Sequence, residues 1–162
     1  MGVSGVGKST IAELLAQRVG LRYVDADDLH GEANIAKMSA GIPLTDDDRW
    51  PWLARVGAEL ATGPTAVVAC SALKRSYRDS LRAQAPDTVF ILLAADAAQI
   101  NAQVSSRKGH FMPPMLLQSQ LAALEPLEEE ELGMVITVDG PPDVLVQRIM
   151  SRADNAEAVP TA

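Results

Sequence analysis

The chain has 162 residues, 48% of them apolar, with a formal charge of −7 and a single cysteine, Cys70. Such a composition fits one globular domain and excludes a disordered chain, an internal disulfide framework and a multi-cysteine metal site. An acidic surface argues against general binding of nucleic acid, and no apolar run reaches the ~18–20 residues that cross a bilayer. The start lacks signal-peptide and transit-peptide character, so the chain reads as cytosolic, with no membrane partner.

The chain opens MGVSGVGKST, and Gly2 to Ser9 fully match G-x-x-x-x-G-K-[ST]. In that pattern successive backbone N–H groups form an anion-binding concavity, with glycine wherever a side chain would block phosphates or φ is positive. The helix that follows adds the positive end of its dipole. Gly2, Val3, Ser4, Gly5, Val6, Gly7, Lys8, Ser9 and Thr10 are therefore the expected nucleotide-binding residues. Lys8 supplies charge to the outer phosphates, and the Ser9 hydroxyl is placed to ligate Mg²⁺.

Residues 8–19 carry Ile11, Leu14, Leu15 and Val19 at helical spacing, and Gly20 ends the helix. A short strand is expected over about 21–25, a helix over 32–40, and a helix carrying Trp52, Leu53, Val56 and Leu60, capped by Thr45 or Asp46. The β-branched runs 65–70, 88–94 and 134–139 read as buried parallel strands. Helices are expected near 72–85, 97–106, 113–124 and 142–152, with 153–162 as a frayed tail.

The alternation predicts an α/β fold with a parallel sheet flanked by helices, as one domain over 1–152. It supplies four strands and a phosphate loop preceded only by Met1. The strand that normally leads into such a loop belongs between the strands at 65–70 and 88–94. Burying roughly five residues there contributes on the order of 7–15 kcal/mol before entropy, comparable with the ~5–15 kcal/mol stability of a whole domain. The expectation is an apolar strand encoded upstream of Met1.

Asp25-Ala26-Asp27 closes the strand at 21–25, on the edge of the sheet where ligands bind. Asp25 is assigned to Mg²⁺ and Asp27 to the proton of an attacking hydroxyl; turn and capping chemistry is the competing structural role. Lys74, Arg78 and Arg82 fall at i, i+4 and i+8, a cationic stripe near the crevice, and Arg49 is placed to clamp a carboxylate. The tryptophans Trp50 and Trp52 read as packing residues, and Glu128 to Glu131 as a solvated face. Finally, SSRKGHFMPP has the character of a lid near 105–114, with Arg107 and Lys108 reaching over the nucleotide, against the alternative of an ordinary basic loop. These features by themselves point to a kinase for a small anionic acceptor with a hydroxyl.

The motifs GVSGVGKST, DADDLH, NIAKMSAGIPLTDDDRWPWL, CSALKRSYRD and RKGHFMPPMLLQSQLAALE, in this order, closely resemble those of bacterial-type gluconokinases. The resemblance runs from residue 1 to about 150. It implies the compact P-loop kinase fold, similar to shikimate kinase, and transfer of the ATP γ-phosphate to the 6-hydroxyl of D-gluconate. It further implies Mg²⁺ dependence, a homodimer, a cytosolic location and a product that feeds the pentose phosphate route. Carried onto this chain, it makes Asp27, His30, Arg49 and Lys74 gluconate contacts, Asp27 also the base, and Arg107 the lid arginine. Arg78 joins the expected substrate contacts from its place in the stripe.

Three positions depart from the family pattern. Val6 replaces a small serine and is expected to point outward, Gly31 replaces a proline after the histidine and is expected to loosen that turn, and Ala26 stands where glycine is frequent. Another small-molecule P-loop kinase of the shikimate type, or a nucleotide-binding protein without catalysis, are the alternative readings.

Overall fold

Glycines in left-handed backbone bound the first helix, α1 (Lys8–Val19), with Gly7 at φ 99° and Gly20 at φ 69°. The computed structural model describes residues 1–62, 66–96, 100 and 114–157. After α1 come β1 (Arg22–Asp25), a 3₁₀ turn (Ala26–Leu29), α2 (Glu32–Ser39), α3 (Asp46–Ala61) and β2 (Ala66–Ala69). They are followed by α4 (Arg75–Gln84), β3 (Phe90–Ala94), α5 (Pro114–Ala123), β4 (Gly133–Thr137) and α6 (Pro142–Glu157). Most of the helix expected near 97–106, and the lid, lie outside the described residues.

All strand pairing is parallel among the described residues. β1 runs beside β2 with Asp25 opposite Ala69, and β3 beside β4 with Leu92 opposite Val135. Residues 1 and 2 lie between the two pairs. The Met1 amine donates to Ile91 O, Leu93 N donates to Met1 O at 3.0 Å, and Gly2 N donates to Ser71 O at 3.1 Å. The phosphate loop thus starts between β2 and β3, where the expectation put it.

One core cluster joins α1 and α6 to β3 and β4 through Ile11, Leu15, Leu93, Ile136, Val146 and Ile149. A second gathers Trp52, Leu53, Val56, Tyr77, Leu81 and Phe90 under α3 and α4. Helix α3 begins with a capping box: Thr45 Oγ1 accepts from Asp48 N at 3.3 Å, and Asp48 Oδ2 accepts from Thr45 N at 2.8 Å. That cap fixes where Arg49 and the tryptophans project, so it belongs to the site as much as to the helix.

Three expectations are corrected. Helix α6 continues to Glu157, five residues beyond its expected end, because Ala153 to Glu157 contain no breaker and Pro160 comes later. Val6 does not point outward: it is 1% exposed and packs in the first core cluster beside Val3. Glu128 to Glu131 is not simply a solvated face, since the Glu131 side chain is fully buried against Arg78 and Arg82 while Glu128 and Glu130 bind Arg75. The charge run anchors the segment before β4 to α4.

Candidate active site

The loop from Gly2 to Gly7 reaches the α1 N-terminus with positive φ at Gly2 (131°), Gly5 (84°) and Gly7 (99°). Two of these glycines serve different needs. A Cβ on Gly2 would lie 3.0 Å from Leu93 O, so the strand-like start excludes it. A Cβ on Gly7 would meet nothing within 4 Å, and only its left-handed backbone demands glycine. Lys8 Nζ donates to Val3 O at 3.1 Å, which curls the side chain back over the loop. Ser4 N donates to Gln120 Oε1 of α5 at 2.6 Å, so a neutral oxygen sits on one of the loop's anion-binding N–H groups.

Ser9 and Asp25 are brought together. Ser9 Oγ donates to Asp25 Oδ2 at 2.9 Å, and Tyr23 OH donates to the same oxygen at 3.0 Å. The other oxygen, Oδ1, accepts from Asp27 N at 3.1 Å and caps the 3₁₀ turn. Asp25 is therefore both a turn cap and one half of a hydroxyl–carboxylate oxygen pair beside the phosphate loop. Among the described residues no group of three His, Cys, Asp or Glu side chains could hold a metal by itself. An oxygen pair that leaves the remaining positions to phosphate and water fits Mg²⁺, which dehydrates reluctantly and seldom takes an all-protein cage.

Asp27 presents its carboxylate to the crevice with its side chain 81% exposed. Desolvation by the surrounding protein raises its pKa above the ordinary aspartate value; Lys8 opposes the rise, and Asp25 and Asp28 add to it. Raised basicity suits a group that takes a proton from a hydroxyl.

His30 lies next to it, its Nε2 4.0 Å from Asp27 Oδ1. Its ring stacks on Trp52, with centroids 4.4 Å apart and planes at 11°. Asn34 Nδ2 donates to Asp48 O at 2.8 Å and lies 3.3 Å from His30 Nδ1. The Asp48 carbonyl fixes which end of the Asn34 amide is nitrogen, so His30 Nδ1 accepts and the proton sits on Nε2, on the side of Asp27. Burial, with Arg55 and Arg49 nearby, lowers the His30 pKa to about 4, and the ring is neutral at pH 7. Gly31 forms the N-cap of α2 at φ −76° and ψ 161°, a backbone conformation open to any residue.

Arg49 and Lys74 converge on Asp46. Lys74 Nζ lies 2.7 Å and 2.9 Å from the two Asp46 oxygens, Arg49 Nη1 3.6 Å from Oδ1, and Tyr77 OH donates to Oδ1 at 2.6 Å. Arg49 Nη1 also donates to Tyr77 OH at 3.3 Å. The Lys74 ammonium, then Tyr77, hold the Asp46 carboxyl below its ordinary range. Asp46 is half-exposed, so these two cations already grip a carboxylate at the crevice surface.

The stripe does not form. Helix α4 begins one residue after Lys74, and Arg78 turns inward, where it is fully buried. Its guanidinium bonds both Glu131 oxygens at 2.6 Å and 2.7 Å and the carbonyls of Leu73, Glu125 and Pro126. Arg82 joins Glu131 at 3.0 Å. Arg78 braces the loops around α4 and is withdrawn from the substrate contacts, because its donors are spent on the interior. Arg107 lies outside the described residues.

Asp46, Tyr77, Asn34 and Gln120 escaped sequence reasoning. Position along the chain marks Asp46 only as a helix cap, and nothing local marks a tyrosine or an amide as part of a site formed by distant segments.

A family profile described as an AAA domain matches residues 1–127. The chain is 42% identical over 154 residues to the gluconokinase of Gluconobacter oxydans, covering 93% of this chain and 86% of that one. It is 44% identical over 139 residues to the thermosensitive gluconokinase of Escherichia coli, covering 83% and 74%. A solved gluconokinase from Sinorhizobium meliloti superposes with a TM-score of 0.87 at 43% identity over 98% of this chain and 95% of that one. The chain belongs to the gluconokinase family. Looser likeness to a shikimate kinase from Aquifex aeolicus, TM-score 0.58 at 12% identity, shows the shared P-loop kinase fold alone. Within this gluconokinase-family chain, the phosphate loop, the Ser9–Asp25 pair, Asp27 and the Arg49–Lys74 pair come from four separate segments: residues 2–9, residues 25–27, α3 and the residue before α4.

Proposed function

We propose that this chain transfers the γ-phosphoryl group of ATP to the 6-hydroxyl of D-gluconate, giving 6-phospho-D-gluconate and ADP. The observation that carries the reading is the exposed Asp27 carboxylate just after β1, beside the neutral His30 and within electrostatic reach of Lys8. Family membership supplies the identity of the acceptor.

In this reading the loop N–H groups of Ser4, Gly5 and Gly7 to Thr10 and the Lys8 ammonium take the triphosphate, displacing Gln120 from Ser4. Ser9 and Asp25 would hold Mg²⁺, which when bound would offset the negative charge of the phosphates. Arg49 and Lys74 take the gluconate carboxylate in place of Asp46. Neutral His30 offers its Nε2–H to an acceptor hydroxyl. Asp27 accepts the proton of the 6-hydroxyl as that oxygen bonds to the γ-phosphorus and the bond from phosphorus to the ADP oxygen breaks. Arg107 closes over the transferring group and offsets its charge.

Family resemblance supports the remaining parts: a Mg²⁺ requirement, a homodimer, a cytosolic site of action and a product entering the pentose phosphate route. A panel of acceptors with ATP and Mg²⁺ tests the central reading. Gluconate is expected to be phosphorylated far faster than shikimate or nucleoside monophosphates; preference for either of those sinks it. ATP binding without turnover of any acceptor would favour the non-catalytic alternative.

A further inference from the structure

Gln120 is the residue of α5 that reaches the phosphate loop. Its Oε1 accepts from Ser4 N at 2.6 Å across 116 residues of sequence. One turn earlier, Leu117 belongs to the same buried cluster as Val3 and Val6, the apolar residues of the loop itself. Helix and loop are therefore keyed together twice, by packing and by one polar bond. The chain just beyond α5 is tied elsewhere: Glu125 N donates to Leu73 O at 2.8 Å, and Glu125 Oε2 accepts from Arg75 N at 2.5 Å. Those anchors and the Leu117 contact hold α5 in place without the amide.

Ser4 N–H belongs to the row of N–H groups that the positive-φ glycines shape into an anion-binding concavity. A donor there needs a partner when no anion is bound, and the Gln120 oxygen is one. An amide differs from every other side chain that could serve, because its two ends are opposite in kind. Oε1 accepts, Nε2 donates, and a half-turn about the last side-chain bond exchanges them at one place. That torsion is broad and twofold, so the exchange meets little resistance. A carboxylate at this position could only compete with phosphate, a lysine could only attract it, and an alanine could do neither.

We propose that Gln120 is a phosphate-sensing residue with two arrangements. Without nucleotide its oxygen occupies Ser4 N–H. With nucleotide, a phosphate oxygen takes that N–H, and the turned amide donates from Nε2 to the phosphate. The proposal rests on the reading of the loop as the ATP site and is indifferent to which acceptor is phosphorylated. Docking of α5 alone is the competing role, and it makes no use of the second end of the amide.

Binding calorimetry with ATP and thermal melts without nucleotide, on the parent, Gln120→Ala and Gln120→Glu, separate the two. Gln120→Ala is expected to weaken ATP binding about tenfold, the loss of a hydrogen bond to a charged group offset by removal of a neutral competitor. Its melting temperature should fall by no more than roughly 3 °C. Gln120→Glu places a carboxylate on the loop and should weaken ATP binding by on the order of 100-fold, yet raise the melting temperature of the nucleotide-free protein by roughly 2 °C. A docking amide gives no such opposition: both variants would then lose stability. In the parent, the ¹⁵N-labelled side-chain amide of Gln120 should shift when ATP is added. A parent that binds no ATP would sink the reading of the loop and this inference with it. ATP held as tightly by Gln120→Ala as by the parent, or a Gln120→Glu protein that melts below the parent, would overturn this inference alone.

Discussion

Helix α4 and the residue preceding it carry two clusters of cations on carboxylates, and the two differ in kind. At its N-terminus Lys74 and Arg49 share Asp46, whose side chain is 45% exposed. One to two turns further on, Arg78 and Arg82 share Glu131, whose side chain has no exposure. Residue type is nearly the same in both, yet the first cluster can release its carboxylate to a competing anion and the second cannot. Saturation and burial decide between ligand binding and bracing, because a buried guanidinium that loses its partner keeps the whole desolvation penalty.

Breaking the sealed cluster should produce the largest effect. Glu131→Gln leaves Arg78 charged and unpaired in the interior and is expected to lower folding stability by about 3–5 kcal/mol, read as the shift of the urea midpoint. The pair Arg78→Met with Glu131→Leu should recover much of that loss, since apolar replacement of a buried ion pair is often neutral or better. A recovery of nothing would mean that the carbonyl bonds of Arg78, rather than its charge, hold the segment before β4.

The open cluster should respond in the opposite currency, through binding with little effect on folding. Lys74→Ala is expected to raise the KM for gluconate by on the order of tenfold to a hundredfold, the loss of a charge-assisted hydrogen bond. Stability should change by less than about 1 kcal/mol, as for other exposed pairs. Thermal melts beside steady-state kinetics would separate the two effects, and a large stability loss with unchanged KM would erase the distinction between the clusters.

Acid sharpens the comparison further. Arg78 holds the Glu131 pKa near about 2, below its ordinary 4.5, so its contribution is fully present above the unfolded value and is lost as pH falls through the folded one. His30, lowered to about 4 from 6.5, acts in the next window up: the unfolded imidazole takes a proton that the folded one refuses, and stability falls as pH drops from about 6.5 towards 4. His30→Gln should flatten that upper limb alone, measured as denaturation midpoints between pH 4 and 7. Thr45→Ala, which removes the α3 cap, should cost about 1 kcal/mol, with a modest KM increase because Arg49 projects from the first turn of that helix.

Local signals were legible in the sequence where one segment supplied all the atoms. The loop glycines, the α1 stop at Gly20 and the Thr45 cap each depend on a few neighbouring residues. What escaped depends on segments brought together by folding. Arg78 looked like part of a surface stripe because helical spacing says which residues share a face, not whether a distant glutamate covers it. Val6 looked outward-facing because a motif fixes backbone conformation and leaves the packing of its variable positions open. Asp46 reads from the sequence as a candidate helix cap, and its grip on Lys74, 28 residues away, is set by folding.

The most direct test of the account is the turnover number of Asp27→Asn with saturating gluconate, ATP and Mg²⁺, alongside calorimetric affinity for ATP. The account predicts a fall in kcat of about 10²–10⁴-fold, the contribution of a placed general base, with ATP affinity close to the parent's. A variant that turns over at the parent rate would contradict the assignment of the β1 carboxyl edge as the place where the acceptor loses its proton.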